Sequence, residues 1–177
     1  MPDEKPPRTA AEWFEKGRRC FHQPDGVGAV KAMEHVVDLD PAYCHPDGDN
    51  PHFYLGKINE VEGRLETAIM HYTRALAVNP VDEESLIGRG SCYTVTRQHE
   101  LAIADFNRLL CFPQRLRKVP VKHLYYVIAE NYRQLQRWGK AIYWARKAHA
   151  VDPGNERHQL LLKEITANLK KTDDEIT

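Results

Sequence analysis

The chain has 177 residues, 42% of them hydrophobic, and its 25 basic side chains are balanced by 25 acidic ones. A net charge of zero exerts no long-range pull on nucleic acid or an anionic membrane, and no stretch approaches the roughly 20 apolar residues of a membrane span. Met1 to Arg8 lacks the apolar core of a signal peptide, so one elongated, soluble, cytoplasmic domain with neither nucleic-acid nor membrane partners is expected.

Residues 1–8 carry no pattern and are expected to form a flexible tail. Thr9 followed by Glu12 predicts a capping box, in which the threonine oxygen takes an orphan amide and the glutamate reaches back. It opens a first helical hairpin containing Trp13, Gly17, Ala29 and Met33, and Pro41 stops it. The connection from Asp40 to His52 concentrates Cys44, His45, Asp47, Asp49 and His52, all side chains that can ligate metal. Their spacing fits neither a zinc pair nor a calcium loop, and Asp, Gly, Asn and Pro are also the residues that turns demand.

Asn50 before Pro51 predicts a capped second hairpin, with a proline at the first helical position. Leu55, Gly56, Gly63, Ala68, Tyr72, Ala75 and Pro80 mark its course. Asp82, Glu83 and Glu84 place negative charge at the start of a third hairpin, which holds Gly90, Tyr93, Ala102, Phe106 and Leu109 and ends near Pro113. Arg115 to His123 is the one basic cluster of note, read as a solvated linker whose Leu116, Val119 and Val121 tuck inward, with binding of phosphate or an acidic partner strand as the alternative. The fourth hairpin carries Tyr125, Ala129, Tyr132, Ala141, Ala145 and Ala148 and stops at Pro153. From Asn155 to Lys171, Leu160, Leu161, Ile165 and Leu169 form an apolar stripe, with His158, Lys163, Glu164 and Lys170 off it. A capping helix is expected there, followed by a flexible tail over 172–177.

One relation runs through all four hairpins. A small residue precedes an alanine by twelve positions at Gly17 and Ala29, Gly56 and Ala68, Gly90 and Ala102, and Ala129 and Ala141. The starting points lie 39, 34 and 39 residues apart, so one unit is repeated with two insertions of about five residues. Close approach of two helices needs a place free of bulky side chains, and each small residue is expected to face its alanine across the pair.

With its large-small, aromatic, alanine and proline signals, this unit resembles the tetratricopeptide repeat, a helix-turn-helix of 34 residues. The second unit is the best copy, although His52 stands for the tryptophan and Asn59 for the aromatic of the first helix. The resemblance implies an all-α, right-handed α-solenoid with repeats at about 9–42, 49–82, 83–116 and 120–154 and a capping helix over 155–171. It also implies that the first helix of each unit, helix A, lines a concave groove for a partner peptide. The matching positions here are Phe14, Arg18 and Phe21; Phe53, Lys57 and Glu60; Ile87, Ser91 and Thr94; and Tyr126, Glu130 and Arg133.

The expected function is therefore that of a non-catalytic adaptor or assembly factor binding a protein or peptide. Phe14 and Arg18, with Ile87 and Ser91 in the third unit, do not match the chaperone-binding carboxylate clamp of some family members. The chain is also similar, in architecture alone, to small translocator chaperones of type III secretion, which gives one alternative. Metal binding through Cys44, His45 and His52 gives another. No serine-histidine-acid order, cysteine-histidine pair or glycine-rich phosphate loop assembles, so neither enzyme activity nor a cofactor is expected. Cys20, Cys44, Cys92 and Cys111 are read as free thiols, three of them semi-buried in helices. The adjacent Tyr143 and Trp144 offer a surface for homodimerisation.

Overall fold

A computed structural model of the chain describes residues 7–23, 25–114 and 117–174. Residues 1–6 and 175–177 of the expected tails, with Arg115 and Leu116 of the basic connection, lie outside the described residues. Nine α-helices occur among the described residues: α1 (Ala10–His22), α2 (Gly26–Leu39), α3 (Pro51–Val61), α4 (Leu65–Val78), α5 (Glu83–Val95), α6 (His99–Leu110), α7 (Val121–Gln134), α8 (Trp138–Val151) and α9 (Glu156–Asp174). The helix expected to end at 171 thus continues to Asp174. Helix α1 packs on α2, α3 on α4, and α7 on α8. The chain divides into two compact units, Met1–Cys92 and Tyr93–Thr177.

Local chemistry accounts for the helix ends. Thr9 Oγ1 accepts from the Glu12 amide at 3.2 Å while Glu12 Oε2 accepts from the Thr9 amide at 3.2 Å, a complete capping box. Asn50 Oδ1 accepts from the Phe53 amide at 3.2 Å, with Pro51 at the first helical position. Asp82 Oδ1 accepts from the Glu84 amide at 3.1 Å, and Asp82 also takes the Ser85 hydroxyl. Pro41, Pro80, Pro113 and Pro153 follow the ends of α2, α4, α6 and α8, where they cannot continue the hydrogen-bond ladder.

Three hairpin turns share one device. Gly63, Arg97 and Gln136 have φ of 75°, 61° and 55°. In each turn the next amide reaches back five residues, Arg64 to Asn59, Gln98 to Tyr93 and Arg137 to Tyr132, at 2.8–2.9 Å. The left-handed residue's own amide bonds to the carbonyl three back, which completes a Schellman motif. Only one of these turns has the glycine that the conformation favours.

Packing in the first unit revises the expected glycine-alanine facing. A Cβ on Gly17 would fall 2.7 Å from Met33 Cε and 3.3 Å from Ala32 Cβ, and one on Gly56 would fall 2.8 Å from Tyr72 Cδ1. Met33 and Tyr72 each lie four residues beyond the alanine of the pair. The glycines make room for these large side chains, and the alanines Ala29 and Ala68 are themselves fully buried. Around them Phe14, Met33, Val36, Tyr54 and Leu55 form one cluster, and Ala68, Tyr72 and Cys92 another, with Phe53 packed on both.

In the second unit Ala129, Ala141, Ile142, Ala145, Leu161 and Ile165 form the core, backed by Tyr126, Tyr132, Trp138 and Trp144. Helix α9 keeps Leu161, Ile165 and Leu169 of the expected stripe against the core, but His158, expected off it, is buried, and Leu160 is exposed. All four cysteines are free thiols. Cys92 is buried, which raises its thiol to about 11, but Cys111 lies at the end of α6 and is exposed.

Candidate functional site

Phe14, Arg18 and Phe21 recur at helical spacing on α1 and share a face. That face is covered. Phe14 is fully buried, with the rings of Tyr43 at 5.1 Å, His45 stacked at 5.4 Å and Tyr54 edge-on at 5.6 Å. Arg18 donates to Asp47 at 2.9 Å and to Glu15 at 3.4 Å, and Phe21 packs edge-on against Tyr54 at 5.2 Å. Phe14, expected to line an open groove, therefore belongs to the core, because the connection between α2 and α3 closes over it.

That connection has its own hydrogen-bond framework. The His45 amide donates to the Asp49 carbonyl and the Gly48 amide to the His45 carbonyl, both at 2.8 Å, and Gly48 turns the chain at φ 95°. Tyr54 donates its hydroxyl to Asp49 at 2.7 Å, and Asn79 donates to the Gly48 carbonyl at 3.0 Å. His45 stands 2.7 Å from Asp47 and 3.4 Å from Glu15. Burial would raise the Asp47 carboxyl, but hydrogen bonds from His45 and the Asp49 amide and the charge of Arg18 hold it below the usual range.

Of the ligand-type side chains of this segment, His45 and Asp47 pair with each other, and the others are engaged elsewhere. Cys44 donates to the Gly48 carbonyl at 3.7 Å, and His52 turns away to meet His71 with their Nδ1 atoms 3.3 Å apart. No three of His, Cys, Asp and Glu converge as a metal site among the described residues. Burial and the cation of Arg74 lower both imidazoles of the His52–His71 pair, His52 to about 4 with His71 adding to its shift. Beside His52, Val37, Pro41, Arg74, Ala77 and Val78 line a cavity of about 320 Å³.

Helix α3 presents the other candidate residues of the first unit differently. Phe53 is half-buried against the core. Lys57 and Glu60, one turn further, keep 42% and 24% of their side-chain surfaces exposed and pair at 3.1 Å. Glu60 also accepts the Tyr72 hydroxyl at 2.6 Å, which ties the surface charge to the fully buried ring. Ile87 and Ser91 on α5 are half-buried. Asn59, at the position where an aromatic was missing, is buried, donating to the Leu55 carbonyl and accepting from Arg64 Nε, both at 2.7 Å.

In the second unit the candidate residues are held by their neighbours. The Thr94 hydroxyl accepts from Asn131 Nδ2 at 3.1 Å, and the buried Asn131 carbonyl oxygen lies 2.8 Å from His99. Tyr126 stacks on His158 of α9 at 5.5 Å. Glu130 pairs with Arg133, which reaches Glu164 of α9 at 2.8 Å. Burial alone would raise Glu130, but the hydrogen bonds from Arg133 and Gln134 hold it down. Away from these residues, Lys147 lies over the rings of Tyr143, Trp144 and Tyr125 at 4.6, 4.9 and 5.5 Å.

The covering residues Tyr43, His45 and Asp47 were invisible as partners of α1 in the sequence. The excess length of that connection, 39 residues between Gly17 and Gly56 against 34 in the next interval, was the one available signal. Nothing in the sequence marked His158 and Glu164 as neighbours of Tyr126 and Arg133.

No protein-family model matches the sequence, and no curated protein matches it. Solved structures do. The MamA protein superposes with a TM-score of 0.76 at 18% identity, over 94% of this chain and 86% of that one. A tetratricopeptide repeat protein from Parabacteroides merdae ATCC 43184 gives 0.72 at 25% identity, over 93% and 63%. The first tetratricopeptide domain of Spaghetti (RPAP3), bound to the HSP90 peptide SRMEEVD, gives 0.57 at 19% identity, over 65% and 87%. The chain has the tetratricopeptide-repeat fold, an all-α solenoid of helix-turn-helix hairpins.

Proposed function

We propose that this chain is a non-catalytic interaction module of the cytoplasm that receives a partner peptide on the exposed faces of its A helices. The observation that carries this reading is the face of α3. Phe53, Lys57 and Glu60 are set at helical spacing, with an apolar ring beside two partly exposed opposite charges held in place by Tyr72. A peptide gains burial energy from such a ring, while neighbouring charges fix its register. The peptide complex of the similar Spaghetti domain supports the reading by analogy of fold. A translocator-type chaperone would use the same face and differ only in its client.

Site-specific photo-crosslinking tests the assignment. A crosslinker at Lys57 or Ser91 is expected to trap a partner, whereas one at Glu34 or Arg146, on exposed parts of α2 and α8, is not. Equal trapping from all four positions would remove the A-helix assignment.

A further inference from the structure

We infer that residues 43–49 are an internal surrogate for a bound ligand, and that the α1 face takes a partner segment carrying an aromatic or imidazole ring close to a carboxylate. This rests on the A-helix reading above and extends it to the chemistry of the partner. Phe14 and Arg18 are the positions that the repeat assigns to ligand contact, and in this chain both are already occupied. The stacked His45 ring and the tilted Tyr43 ring lie on Phe14, and the Asp47 carboxylate sits on Arg18 at 2.9 Å. The extra length of the first connection supplies the residues that do this.

The contact between Asp47 and Arg18 is of the exchangeable kind. Asp47 and Arg18 retain 42% and 27% of their side-chain surfaces, and ion pairs so exposed to water hold their partners weakly. The stronger attachments lie at the end of the segment, where Tyr54 holds Asp49 and Asn79 holds the Gly48 carbonyl. An intermolecular segment offering a ring and an acidic side chain two to four residues later reproduces the contacts of Tyr43, His45 and Asp47. It displaces them from Phe14 and Arg18. Charge selects its sign, because Arg18 requires a carboxylate in that place.

The test uses the full chain and a fluorescein-labelled peptide of residues 42–50 carrying Cys44→Ser, followed by fluorescence anisotropy. The triple variant Tyr43→Ala, His45→Ala and Asp47→Ala, which removes all three covering side chains, is expected to bind the peptide about tenfold more tightly than the unmodified chain, since it removes a tethered competitor. Adding Arg18→Ala, or replacing the aspartate at 47 in the peptide by asparagine, is expected to weaken binding about tenfold. Equal affinity of vacated and unmodified chains, or indifference to Arg18→Ala, overturns the inference.

Should the vacated variant fail to fold, hydrogen exchange of the His45 and Gly48 amides in the unmodified chain replaces it. Acceleration by millimolar peptide supports displacement, and unchanged exchange overturns it. Partner crosslinking at Lys57 without any peptide binding overturns the surrogate alone. Peptide binding without crosslinking at Lys57 supports the surrogate and removes the α3 assignment.

Discussion

The ring of Tyr72 lies against Gly56 so closely that a Cβ on the glycine would fall 2.8 Å from the ring's Cδ1 and Cε1. Gly88 of α5 flanks the same ring, where a Cβ would fall 2.4 Å from Cζ. The ring is therefore wedged between two helices, and its hydroxyl reaches through to Glu60 on the candidate face.

Alanine at these positions separates rigid from compliant contacts. Gly56→Ala and Gly88→Ala meet a flat ring that cannot yield without moving a helix, and each is expected to destabilise the fold by about 1–3 kcal/mol. Gly17→Ala meets the flexible end of Met33, and the helix-propensity gain of about 1 kcal/mol offsets much of the cost. Urea denaturation midpoints would rank Gly17→Ala well above the other two. Equal losses at all three would show that Tyr72 is no more rigid a neighbour than Met33.

Arg97 and Gln136 occupy left-handed turns where their Cβ atoms are strained, and both are exposed. Arg97→Gly and Gln136→Gly are each expected to stabilise the fold, with relief of about 1 kcal/mol partly offset by the greater freedom of glycine in the unfolded chain. Gly63→Ala, the reverse change in the equivalent turn, is expected to destabilise. Thermal melts of the three variants check the signs.

The His52–His71 pair makes stability depend on pH. His52 is lowered to about 4 in the folded state and His71 is lowered in the same direction, so below about pH 6.5 the unfolded chain binds more protons than the folded one. The contribution of the neutral pair is complete above pH 6.5 and is lost as pH falls, for His52 by up to about 1.4 kcal/mol per pH unit down to about pH 4. Denaturation at pH 7.5, 6 and 5 is expected to show this slope, and His71→Gln, which keeps a hydrogen-bonding side chain without titrating there, is expected to flatten it. An unchanged slope would place the titration elsewhere.

Much of the architecture was legible in the sequence because its determinants act over a few residues. The Thr9–Glu12 box, the Asn50 cap and the stops at Pro41, Pro80, Pro113 and Pro153 each depend on backbone groups within one helical turn, so their residue types suffice to announce them. The repeat spacing added the hairpin pairing, since a unit that recurs must bury the same face each time.

Tertiary structure decided what lies on the candidate faces. Whether Phe14 opens to solvent depends on Tyr43 and His45, some thirty residues later, and whether Tyr126 is free depends on His158, about as far beyond it. In α9 the stripe through Leu161, Ile165 and Leu169 was legible, but its edge was not: Leu160 is exposed and His158 is buried, because His158 stacks on Tyr126. The glycines show the same division. Their spacing announced close helix contact, but only the packed core determined that the ring of Tyr72 and the thioether of Met33, rather than Ala68 and Ala29, lie nearest the space that Gly56 and Gly17 leave.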